Sequence, residues 1–134
     1  MDDVMIGVDP HKGSHTATML DGSAGELKRI RVRAGAGQVG ELLAWAGDVE
    51  QRTWAVESAQ GMGYLLAQQL VAAGEHVVDV PATLASRVRV LGSGQSTKTD
   101  PNDARSVAIA ALHASALDDQ RARAGHMRTT LTPA

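Results

Sequence analysis

Between Thr53 and Pro81 the sequence leaves little freedom of architecture. Thr53 to Val56 has the length and composition of a strand. Met62, Leu65, Leu66, Leu70 and Ala73 then recur at helical spacing and are closed by Gly74, and His76 to Val80 form a second short apolar strand ending at Pro81. A strand, a helix and a strand in succession need a crossover, which is normally right-handed and leaves the two strands parallel.

The chain before this unit reads differently. Val4 to Val8 is an apolar run ending at Asp9, Pro10 to Gly13 is a turn, and Ser14 to Leu20 alternates polar and apolar residues at strand period. Asp21-Gly22 and Gly25 mark a second turn, after which Leu27, Ile30 and Val32 sit among basic residues in a third strand. Val39, Leu42, Leu43 and Ala46 place an amphipathic helix from Gly37 to Gly47. The expectation is an α/β fold with a ribonuclease-H-like mixed sheet, three antiparallel strands followed by parallel ones, flanked by helices. Ala82 to Val90 reads as a short helix, Gly92 to Ser96 as a mobile loop of small residues, and Asp100-Pro101 as the start of a helix to about Ser115. Its buried stripe should be Val107, Ala110, Ala111 and Ala114. At 134 residues there is room for one domain, expected over residues 1–117, with 118–134 as a frayed or extended tail.

Composition narrows the chemistry. There is no cysteine, so a bound metal must be held by oxygen or imidazole, which favours a hard cation. A net charge of -2 gives no global attraction for nucleic acid, so binding would need a local basic patch. Tyr64, Trp45 and Trp54 are the only aromatics, too few for a base-stacking platform. No apolar run approaches the roughly 20 residues of a membrane span, and the start lacks a signal peptide's basic residues, so no membrane association and a cytoplasmic location are expected.

Asp9 and Glu57 stand at the ends of the first and fourth strands, adjacent in this topology, at the edge where ligands bind in such sheets. Asp100 and Asp103, three apart, share one helix face. Four carboxylates so gathered would repel one another unless cations held them, and two magnesium ions roughly 4 Å apart need such an oxygen clamp to assist attack on a phosphodiester. The bland reading is that Asp100-Pro101-Asn102-Asp103 only caps a helix and that Asp9 and Glu57 are solvated strand ends.

The stretches Ile6-Gly7-Val8-Asp9-Pro10-His11-Lys12, Ala55-Val56-Glu57-Ser58 and Lys98-Thr99-Asp100-Pro101-Asn102-Asp103-Ala104 resemble the DEDD transposases of the insertion sequence 110 family, over about residues 4–115. The resemblance implies an amino-terminal domain similar to a RuvC-type Holliday-junction resolvase. Its acidic tetrad falls on Asp9, Glu57, Asp100 and Asp103, binds two Mg2+ or Mn2+ ions and cleaves and exchanges DNA strands. The family also implies a structured guide RNA as partner and a separate carboxy-terminal domain with a catalytic serine. The sequence stops before such a domain, so the expectation is that the chain by itself departs from the full family pattern.

Lys12, beside Asp9, and Arg87, Arg89, Lys98 and Arg105, around the small-residue loop, are candidate phosphate contacts, against the alternative of surface charge balance. His11 and His15 are four apart, but across a turn, which does not place them on one zinc-ligating face. Gly61-Met62-Gly63 is either a close backbone approach to a ligand or a helix entry. The alternative functions are a non-catalytic nucleic-acid-binding or assembly module, with homo-oligomers possible, and, lowest, half of an ATP-binding cleft.

Overall fold

The computed structural model describes residues 3–59, 61–93 and 100–123, with side chains described over 3–59, 61–88 and 103–115. The chain runs β1 (Val4–Pro10), β2 (Ser14–Leu20), β3 (Glu26–Arg33), α1 (Gln38–Ala46), β4 (Arg52–Glu57), α2 (Tyr64–Ala72), β5 (His76–Val80), α3 (Ala82–Ser93) and α4 (Asp100–Arg123). The five strands form one sheet in the order β3-β2-β1-β4-β5. β1, β2 and β3 pair antiparallel, and β4 joins parallel to β1 and to β5. The mixed sheet and the ribonuclease-H-like strand order are those expected from the sequence.

Alternation along the strands divides the core in two. Ile6, Val8, Ala17, Met19, Val32, Trp54 and Val56 point to one face, where Leu42 of α1 and Leu66 and Leu70 of α2 cover them. Met5, Leu20, Ala55 and Val80 point to the other, under Ala85 of α3 and Val107, Ala108 and Ala111 of α4. Each large apolar side chain so buried contributes roughly 1.5–3 kcal/mol, so the sheet is held from both sides.

The second face is packed closely because its residues are small. An added Cβ on Gly7 in β1 would lie 2.2 Å from the carbonyl oxygen of Ala104 and 2.5 Å from the amide nitrogen of Ala108. Only a glycine lets the α4 backbone approach this strand so nearly. Ala104 and Ala108, outside the expected stripe of α4, are fully buried for the same reason, while Ala114 is only half-buried.

Two helix ends differ from expectation. α3 continues through Ser93, so Gly92 and Ser93 are helical and residues 94–96 of the expected loop lie outside the described residues. α4 continues through Arg123 rather than ending near Ser115, which moves the expected tail of 118–134 back by at least a turn and a half. Asp118, Asp119, Gln120, Arg121, Ala122 and Arg123 carry no apolar period, yet intrinsic propensity can sustain a helix already nucleated. Among the described residues no helix is long and apolar enough to cross a membrane.

Candidate active site

β1 and β4 run side by side in register as far as Val8 and Val56, and the next residue on each strand is an acid. Asp9 has the parity of Gly7, which faces α4, and Glu57 has that of Ala55, packed in the α4-side core. The two carboxylates therefore emerge on one face of the sheet at its carboxyl edge, on strands about 4.8 Å apart. Asp9 is 6% exposed and Glu57 is half-buried.

α4 brings the third acid. Asp103 immediately precedes Ala104, whose carbonyl oxygen rests over Gly7, two residues before Asp9. The close approach that glycine permits is thus what carries Asp103, half-buried, to the side of the sheet bearing Asp9 and Glu57. Asp100 is the first residue of α4, one helical turn before Asp103.

The chain is bent sharply behind Glu57. Ser58 adopts φ 54°, a left-handed conformation unusual for a residue with a side chain. Four hydrogen bonds hold the bend. The Ser58 amide donates to the Val80 carbonyl, extending the ladder with β5, and the Ser58 carbonyl accepts from Gly61 and Gly63. The carboxylate of Asp79 on β5 accepts from the Ala59 amide at 2.7 Å. Gly63 is packed against the Glu57 carbonyl and the Pro10 ring, where an added Cβ would come within 2.9 Å and 3.0 Å. Of the two glycines of Gly61-Met62-Gly63, Gly63 thus serves a tight entry into α2.

Beside Asp9, the His11 ring nitrogen Nε2 lies 2.8 Å from Asp9 Oδ2. His15 belongs to the other face of the sheet, where its Nε2 meets Oε1 of buried Gln38 at 2.8 Å. The two histidines do not share a site, and the zinc reading of their spacing falls away.

The donor chemistry suits a hard divalent cation, since the acids supply only oxygen. Among the described residues no three acidic or imidazole groups stand close enough to hold one ion, so Asp9, Glu57 and Asp103 share a face without converging on a point. The side chain of Asp100 is outside the described set.

The basic candidates are dispersed. Lys12 is exposed in the turn between β1 and β2, next to Asp9. Arg87 is exposed on α3, and Arg105 is exposed on the flank of α4 facing β3. Arg29 pairs with Glu26 at 2.7 and 2.6 Å and holds its carboxyl below the usual carboxylate range, aided by the charge of Arg105. The Arg89 side chain and the whole of Lys98 lie outside the described residues. Gly7 and Asp79, which shape the edge at Asp9 and Glu57, escaped the sequence reading, and His11 was weighed there only as a zinc ligand with His15.

A family profile described as transposase, for DEDD transposases of the IS110 type, matches residues 6–129. The chain is 35% identical over 107 residues to an uncharacterized 44.8 kDa protein of insertion element IS116 from Streptomyces clavuligerus. That match covers 80% of this chain and 27% of the relative, so the chain spans about a quarter of the protein it resembles. In structure it is similar to Thermus thermophilus RuvC in complex with a Holliday junction substrate, with a TM-score of 0.61 and 19% identity, covering 96% of this chain and 99% of RuvC. A second Thermus thermophilus RuvC structure gives 0.59 at 18% identity over the same shares.

Proposed function

Because the chain belongs to the IS110 family of DEDD transposases, we propose that it is the catalytic-core domain of a DNA transposase or recombinase that cleaves and exchanges DNA strands at the carboxyl edge of its sheet. The observation that carries this reading is the juxtaposition of Asp9 and Glu57 on neighbouring parallel strands with Asp103 delivered to the same face by α4. The RuvC-like fold is consistent with it.

On this reading Asp9, Glu57, Asp103 and Asp100 would hold divalent cations, Mg2+ or Mn2+, as a pair. When bound, such ions neutralise charge on the scissile phosphate and activate the attacking oxygen. The chain's own residues do the rest. The sheet fixes the separation of Asp9 and Glu57, and the bend at Ser58 aims Glu57. Asp9 orients His11 beside the phosphate path, and Lys12, at the rim, supplies a cation for a neighbouring phosphate. Among the other basic candidates, Arg105 has a place in DNA contact on the flank of α4, whereas Arg87, Arg89 and Lys98 rest on sequence alone. The chain spans about a quarter of its curated relative, so complete transposition belongs to a longer assembly. A structured guide RNA and a carboxy-terminal serine domain are its implied parts, supported by family membership alone.

Thermal melting and DNA cleavage with and without MnCl2 test the reading. Wild type should gain stability with metal, by about 2.7 kcal/mol at a hundredfold excess over Kd, and should nick branched DNA when the rest of the protein is supplied. Asp9→Asn should lose both responses. Equal metal stabilisation in the two proteins would withdraw the carboxylate site and leave a nucleic-acid-binding or assembly module as the reading.

A further inference from the structure

We propose that Thr16 is a positioning residue of the acidic site, its hydroxyl serving as the fixed donor to the Asp9 carboxylate once a divalent cation is bound; this rests on the metal-binding reading above. The register supplies the geometry. Asp9 on β1 lies directly opposite Thr16 on β2, and the two side chains emerge on the same face of the sheet, with Cβ atoms about 5 Å apart as in any directly opposed antiparallel pair. α4 packs over β1 and β2 on this face, so Thr16 is only 3% exposed. Its hydroxyl is buried and has no hydrogen-bond partner.

A buried hydroxyl left unpaired costs free energy that a valine of the same shape would not, so its presence calls for a partner met in another state of the molecule. On the sheet face Thr16 has four neighbours, Ser14 and Thr18 along β2, Asp9 on β1 and Arg31 on β3. Arg31 has no acceptor to offer, and the Ser14 hydroxyl already takes the Nε proton of Arg31 at 3.1 Å. Thr18 presents a second hydroxyl that is itself buried and unpartnered, so the two threonines do not bond each other. Asp9 is the one anion of the four, and a charged acceptor makes the stronger bond.

The His11 ring meets Asp9 Oδ2 at 2.8 Å, but a carboxylate can accept about four hydrogen bonds, and the His11 side chain is 40% exposed where Thr16 is buried. An exposed imidazole can be exchanged for solvent or a ligand. A branched side chain on a strand, stiff at χ1, keeps its place. Thr16 therefore fixes the Asp9 carboxylate for cation binding, as the groups behind metal ligands commonly orient them and tune affinity. Threonine also suits a strand simply by its fit to a pleated surface, and Thr18 serves to test that explanation. It is fully buried on the same face with an unpaired hydroxyl, but opposite Gly7, which has no acceptor side chain.

The test is thermal melting of the 134-residue chain in chelator and across a MnCl2 titration, for wild type, Thr16→Val, Thr16→Ser and Thr18→Val. Thr16→Val should melt at or above wild type in chelator, because it removes an unpaired buried hydroxyl, yet bind Mn2+ about tenfold more weakly. Thr16→Ser, which keeps the hydroxyl, should retain the wild-type Mn2+ affinity, as should Thr18→Val. A packing role would move stability and affinity together and would not be rescued by serine. Wild-type affinity in Thr16→Val, an equal loss in Thr18→Val, or failure of serine to restore affinity would each overturn the assignment. Should Thr16→Val not fold, Thr16→Ala takes its place beside Thr16→Ser, and alanine should lose the affinity that serine keeps. A wild type that gains no stability from Mn2+ withdraws the carboxylate site and this role with it. A wild type that responds alongside an equally responsive Thr16→Val withdraws Thr16 alone.

Discussion

The two ends of the parallel strands use charge in opposite ways. At the amino end, Arg52 at the start of β4 donates to both carboxylate oxygens of Glu75 at 2.7 and 2.9 Å and to the carbonyls of Gly47 and Val49 at 3.0 Å. Glu75 also accepts from the indole of fully buried Trp54 at 2.6 Å. The charges of Arg52 and Glu75 thus each have an opposite charge or a dipole aimed at them. At the carboxyl end, within a few residues of one another, Asp9, Glu57 and Asp103 gather charges of one sign on a single face. The first arrangement ties the start of β4 to the turns before it and before β5, whereas the second gathers the acids that the proposed function would use to hold a cation. The same sheet supplies both, because parallel strands put all their starts on one edge and all their ends on the other.

The contrast can be broken most forcefully at Gly7. Gly7→Ala should destabilise the domain by about 3 kcal/mol or more, since the added carbon meets helix backbone and not a flexible side chain. If α4 shifts outward to admit it, the metal-dependent gain in melting temperature should vanish although all four acids remain. A variant melting like wild type with an intact metal response would show that the carboxyl end does not depend on the close approach of α4.

At the amino end, Glu75→Gln should cost about 2 kcal/mol, the worth of hydrogen bonds to a charged group, and be indifferent to metal. The hydrogen bonds from Arg52, and then that from Trp54, hold the Glu75 carboxyl below its ordinary 4.5. Its stabilisation is therefore complete above about pH 4.5 and is lost as pH falls through the lowered folded value. Melting curves from pH 6 down to about pH 3 should fall less steeply for Glu75→Gln than for wild type. Parallel curves would mean that this pair contributes nothing to acid stability.

A smaller effect is expected at Asp79, whose carboxylate accepts from the Ala59 amide in the bend behind Glu57. Asp79→Ala should lose about 1 kcal/mol and weaken the metal response, whereas Asp79→Asn, which keeps an acceptor for the Ala59 amide, should restore both. Equal behaviour of the two variants would assign the effect to charge and not to the bond. Smallest of all, Asp9→Asn without metal should stay within about 0.5 kcal/mol of wild type, because removing one of several like charges offsets the lost contact with His11. A large loss in that variant would place Asp9 with the structural charges of the other end.

Much of this was legible in the residues. The strand and helix order followed from periodicity and from turn residues, and Asp9 and Glu57 were identifiable as strand ends brought together by topology. Gly7 was not, because a glycine within an apolar run signals only a weakened strand until the helix above it is known. Asp79 was hidden similarly, since its partner is a backbone amide twenty residues earlier. The continuation of α4 to Arg123 escaped because polar residues can prolong a helix without leaving an apolar period.

The docking of α4 over Gly7 also orders events in time. Asp9 and Asp103 lie near opposite ends of the described chain, and at roughly 5–20 residues per second a ribosome takes several seconds to pass from one to the other. During that interval the nascent sheet can bring Asp9 beside Glu57, but the acidic set stays incomplete until the last helix has emerged and settled on the strand. A polypeptide interrupted before α4 would thus lack both Asp103 and the helix that seats on Gly7, so that the acidic face is assembled only with the completed domain.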